Sequence, residues 1–197
     1  MALAIVAGAC AVVLAMPLSS EKAGVLMAAL FFVAGGPAIE ELGRYWGLRT
    51  LGTSSLTTRS ALLAFGLVWA GAEVVWKAAN RFVRDPLRDW TVTHHNLSWP
   101  SSIDAWVSVL NVVPAVGLHV LATYIVAHRM QRGAGLIRSW LSGYGVHVGY
   151  NVVSIVLFSV IGRSGWPALF WILALTAALV LLASRVSQKV NSPAAGA

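Results

Sequence analysis

Six apolar runs, each long enough to cross a bilayer, are joined by short polar connections and leave this chain few ways to fold. They cover residues 2–18, 24–39, 60–77, 105–128, 139–161 and 166–184. The pattern Leu42, Tyr45, Trp46 carries the second run about two turns further. A helix rises about 1.5 Å per residue, so roughly 20 residues span the hydrocarbon layer. The reading is an all-α polytopic membrane helix bundle of about six transmembrane helices. Residues 1–191 form one integral membrane domain, and 192–197 form a disordered tail. Residues 80–104, with Pro86, His94, His95 and Pro100, form the longest polar connection, and 129–138 form a basic loop. Asn111 and Pro114 mark a kink in the fourth helix.

Composition agrees with that class. Of 197 residues, 58% are hydrophobic and 11% charged, and the mean hydropathy is +0.75. A water-soluble domain could not clothe so apolar a chain in polar surface. The net charge of +7 comes from 14 basic residues that sit mostly in the connections. Anionic headgroups and the positive-inside rule account for them there, and no basic face interleaved with aromatics points to nucleic acid. Nine tryptophans suit the headgroup boundary. The single cysteine, Cys10, excludes an internal disulfide and a cysteine-based metal site. No basic start precedes the first run, which favours a retained span over a cleaved signal. With six spans both termini share a side, and the basic residues favour that side weakly, which predicts cytoplasmic termini.

Against this background the ionisable residues inside the runs stand out. Each costs roughly 2.5–3.5 kcal/mol near a bilayer centre. Glu40 and Glu41 precede Arg44, Glu73 precedes Lys77, His119 precedes Thr123 and His147 precedes Asn151. Residues four apart share a helix face, so each pair has one direction, toward the bundle interior rather than lipid. His119 lies roughly 13 Å, and His147 roughly 12 Å, inside the same surface. Four helices therefore carry acids and imidazoles into one half of the membrane. Gly71, Gly117, Gly143, Gly145 and Gly149 offer close helix approach nearby. Carboxylates there can activate water, imidazoles can shuttle protons or bind metal, and an amide can stabilise an oxyanion.

These residues resemble a known family. Glu40-Glu41-Leu42-Gly43-Arg44 is similar to the Glu-Glu-x-x-Lys/Arg motif of PrsW-type intramembrane proteases. Trp69-Ala70-Gly71-Ala72-Glu73 resembles their glycine-containing segment ending in a membrane glutamate. His119 through Thr123 resembles their His-x-x-x-Thr motif, and His147 through Asn151 their final His-x-x-x-Asn/Asp motif. The related CPBP family of prenyl-protein and bacteriocin-immunity proteases shares the plan, but Ala115 stands where it has an aromatic.

The resemblance implies a peptidase of the bacterial inner membrane acting on a membrane-embedded or membrane-proximal protein or peptide. It implies Glu40 or Glu41 as general base, His119 and His147 as metal ligands or hydrogen-bond partners, and Asn151 as oxyanion donor. Glu73 is then a ligand or second carboxylate, with Arg44 orienting the glutamate pair and Thr123 in support. Glu73, His119 and His147 match the ligand set of a catalytic zinc or another divalent metal, and metal-free glutamate chemistry is the alternative. Three competing readings use the same residues: a non-catalytic membrane scaffold of the same fold, a proton-coupled carrier, and a haem protein with His119 and His147 as axial ligands.

Overall fold

The computed structural model describes residues 30–52, 58–92, 110, 112–161 and 165–190. Among the described residues the chain is helical throughout, with no strand. A π-helical turn, Phe31–Gly35, leads directly into α1, Gly36–Thr50; α2 follows at Arg59–Val92, α3 at Val112–Gln131, α4 at Leu136–Ile161 and α5 at Gly165–Val190. They correspond to the second through sixth apolar runs. The first run, the expected tail, Asn111 and His94-His95 lie outside the described residues.

The centre of the bundle is α3, which packs against α2, α4 and α5 and touches α1. Its sequence is apolar almost all round, the pattern of a helix enclosed by others. Leu118, Leu121, Tyr124, Val126 and Ala127 form the core with Tyr45 and Leu48 of α1, Leu62 of α2 and Leu179 of α5. At the crossing of α2 and α3 the backbones meet: a Cβ on Gly66 would lie 2.9 Å from Val120 Cα. α3 and α5 are long and apolar enough to cross a membrane.

The boundaries differ from the sequence reading in three places. α2 continues through Pro86 to Val92, where a polar connection was expected from residue 80. Proline's fixed φ is helical, so the helix can continue through it, at a cost of about 3 kcal/mol for the lost donor and the ring's clash with the preceding turn. Pro114 lies within α3, and the kink expected there with Asn111 falls partly outside the described residues. The basic loop shrinks to residues 132–135 because α3 ends in a Schellman turn. There Gly133 has φ 72°, and the Gly133 and Ala134 amides donate to the carbonyls of Met130 and Arg129. α5 runs six residues past the expected Ser184, to Val190.

Candidate functional site

The site is assembled from pairs of side chains one helical turn apart. α1 contributes Glu40, Glu41 and Arg44, α2 contributes Trp69 and Glu73, α3 contributes His119 and Thr123, and α4 contributes His147. Glu41, Arg44, His119 and Thr123 are wholly buried, and His147 nearly so. Glu40 and Glu73 keep 23% and 21% of their side chains exposed, which makes them the two acids at the mouth.

Arg44 is the hub. Its Nε donates to Glu41 Oε2 at 2.9 Å. Its Nη1 donates to Thr123 Oγ1 at 2.9 Å and to the His119 carbonyl at 3.2 Å. Its Nη2 donates to His119 Nδ1 at 2.7 Å. Thr123 can accept because its own proton goes back to the His119 carbonyl, the usual bond of a mid-helix threonine. This buried cation thus ties α1 to α3.

The arginine also sets the protonation of His119. A guanidinium only donates, so Nδ1 must present its lone pair, and the ring proton sits on Nε2. That proton is donated to Glu73 Oε2. The second imidazole has the opposite tautomer. His147 Nδ1 faces Glu41 Oε1 at 3.1 Å; a carboxylate only accepts, so Nδ1 carries the proton. In the neutral ring Nε2 then keeps its lone pair, and it lies 3.9 Å from Glu40 Oε2. Both oxygens of Glu41 are therefore engaged, while Glu40 Oε2 faces His147 Nε2 across a gap.

Glu40 is held by its other oxygen, which accepts from Trp69 Nε1 at 3.0 Å. Gly143 admits the Glu41 carboxyl: a Cβ there would collide with Glu41 Oε2 and lie 2.8 Å from Val126 Cγ2. Trp140, four residues from Tyr144 and stacked on it, donates from Nε1 to the Ala38 carbonyl at 2.9 Å and pins α4 to α1.

Of the residues expected from sequence, Glu40, Glu41, Arg44, Glu73, His119, Thr123 and His147 meet in one cluster. Asn151 hydrogen-bonds elsewhere, its Nδ2 3.5 Å from the Val33 carbonyl in the π-helical turn. Gly71, Gly145 and Gly149 border open space, whereas Gly117 and Gly143 are close-packed. Trp69 and Trp140 were not anticipated as site residues. The signal for Trp69 was its position four residues before Glu73, on the same face of α2.

Glu40, Glu73 and His119 offer donor atoms within 4.8 Å of one another and could hold a metal ion; His147 is not in that group, although the sequence reading counted it as a ligand. The donor set meets an obstacle at His119. A neutral imidazole that ligates through Nε2 carries its proton on Nδ1, where Arg44 offers only another proton. As arranged, the residues do not fit a metal ligated by His119. The haem reading meets a similar one, since the two imidazoles pack edge to face with centroids 5.5 Å apart, too close to admit a macrocycle between them.

Compared with known proteins, the chain matches no family model, no curated protein and no solved structure.

Proposed function

We propose that this chain is a membrane-embedded peptidase of the glutamate type, cleaving a peptide bond of a membrane-embedded or membrane-proximal substrate. The observation that carries the reading is the gap between Glu40 Oε2 and His147 Nε2. Two acceptors 3.9 Å apart suit one water that donates to both at about 2.8 Å. Such a water turns its oxygen lone pairs away from both groups, toward a carbonyl entering from the mouth.

In this mechanism Glu40 is the general base. It takes a proton as the water oxygen bonds to the carbonyl carbon, and it returns that proton to the leaving amine as the C–N bond breaks. Water is consumed, and one carboxyl and one amine end result. Glu41 touches no substrate; it holds the tautomer of His147, as a buried carboxylate does for an imidazole base. Glu73 is the second acid at the mouth, and Arg44 keeps His119 in register with it.

The membrane setting is supported by lengths and surfaces. α3 and α5 are long and apolar enough to span a bilayer, yet only 22% of the apolar window of α5 is buried. α4 exposes Val152, Val153, Ile155, Val156 and Val160, and α5 exposes Phe170, Leu173, Val180, Leu181 and Leu182. Apolar faces of that extent belong against lipid or another protein. With the remaining apolar runs of the sequence, they support a six-span bundle.

The test is cleavage of a library of transmembrane-segment peptides by purified protein in lipid nanodiscs, read by mass spectrometry. The wild-type protein should release defined fragments. Glu40→Gln and His147→Ala should lower the rate by at least about 100-fold, the scale of a lost general base, while remaining folded. Cleavage by both variants at the wild-type rate would end the proposal.

A further inference from the structure

We infer that Trp69 is a positioning residue of the site, holding Glu40 so that Oε2 faces His147. Its indole grips both members of the i,i+4 pair Glu40–Arg44. The N–H edge donates to Glu40 Oε1 at 3.0 Å, and the Arg44 guanidinium carbon lies 5.3 Å from the ring centroid, within range of a cation–π contact. Glu40 is the least buried carboxylate of the cluster. Its Oε1 lies 3.6 Å from Arg44 Nη2, beyond hydrogen-bond reach, and 3.2 Å from His119 Nδ1, whose lone pair already accepts from Arg44. The indole proton is thus the donor that fixes the rotamer of this acid.

The indole is itself seated by a matched surface. Phe65, four residues earlier on α2, stacks on Trp69 with centroids 5.6 Å apart and planes 22° from parallel. The two rings lie over Gly43 and Gly47, also four apart, on α1. A Cβ on Gly43 would come within 3.1 Å of Trp69 Cη2, and one on Gly47 within 2.9 Å of Phe65 Cζ. Two glycines on one helix thus accept two aromatics from the next, and Trp69 cannot shift without moving the acid it holds. This rests on the hydrolytic reading for its kinetic consequence, and on geometry alone for the bond itself.

The experiment has two arms. In the first, ¹⁵N-indole-labelled protein without substrate is observed by NMR, the Trp69 resonance being the one absent from Trp69→Phe. Glu40→Ala should move that resonance upfield as the bond is lost, and an unmoved resonance would overturn the inference whatever the protein does. In the second, Trp69→Phe and Gly43→Ala are assayed on a peptide that the wild-type cleaves. Loss of a hydrogen bond to a charged group corresponds to about 10- to 100-fold. That loss should appear in kcat for Trp69→Phe, with KM unchanged, and a smaller loss of the same kind for Gly43→Ala, which displaces the ring without removing it. Folded variants with wild-type kcat, or a change confined to KM, would overturn the positioning role. If the resonance moves and Glu40→Gln still cleaves normally, the hydrolytic reading fails and the positioning contact stands.

Discussion

Arg44 offers the sharpest quantitative handle. Its guanidinium is wholly buried and donates to a carboxylate, a hydroxyl, a carbonyl and an imidazole nitrogen. Arg44→Ala removes the cation and leaves Glu41, equally buried, with His147 as its remaining hydrogen-bond donor among the described contacts. Breaking one side of a buried ion pair costs about 3–5 kcal/mol, because the other charge is stranded. Glu41→Ala strands Arg44 and should cost about as much. The double variant removes both charges, so it should be less destabilised than the sum of the two by about 2–3 kcal/mol, the upper range for residues in one network. Reversible unfolding in detergent micelles by increasing sodium dodecyl sulfate, followed by tryptophan fluorescence, measures all four corners of the cycle. Single losses below about 1 kcal/mol, the scale of an exposed pair, or strictly additive values, would refute the claim that this arginine is the buried hub of the site.

Other predictions follow from the same contacts. Gly143→Ala should lower stability by about 1–3 kcal/mol through overpacking and abolish cleavage, because its Cβ enters the space of the Glu41 carboxyl. Gly145→Ala, two residues away and facing open space, should leave melting temperature and rate close to wild type. Asn151→Ala should lower kcat less than about tenfold, well short of the effect of His147→Ala, since its amide is directed at the Val33 carbonyl and not at the acids; an equal loss would restore it as an oxyanion donor. Dialysis against a strong divalent-metal chelator should leave cleavage intact, because Arg44 donates to Nδ1 of His119, the nitrogen that would have to carry the proton of a metal-bound ring. Loss on chelation and return with zinc would show that Arg44 swings away.

Much of the site was legible as spacing. His119 and Thr123 were expected on one face of a helix, and both converge on Arg44 because a 3.6-residue turn leaves them no other relation. The common depth of His119 and His147 on neighbouring helices was equally readable, and their rings are in contact. What could not be read was the division of labour between Glu40 and Glu41. Adjacent residues on a helix point about 100° apart, and which of them is enclosed depends on where α4 lands. Gly143 decides that, by letting α4 approach the Glu41 carboxyl. His147 and Asn151 have identical spacing to His119 and Thr123, yet Asn151 turns to the Val33 carbonyl; the residue four positions on from Val33 is Pro37, which has no N–H to donate. The helix ends failed for a related reason. Pro86 and the charges around it resemble a boundary, and only packing and backbone continuity distinguish a helix that tolerates proline from one that stops.

The central claim is that Glu40 and His147 hold the water that attacks a peptide bond. Cleavage of a transmembrane peptide in ¹⁸O-labelled water tests it most directly. The wild-type protein should place one ¹⁸O in the new carboxyl end of the N-terminal fragment, and Glu40→Gln should place essentially none over the same time. Label incorporated by Glu40→Gln at the wild-type rate, or an N-terminal fragment whose new carboxyl carries no ¹⁸O, would contradict the account.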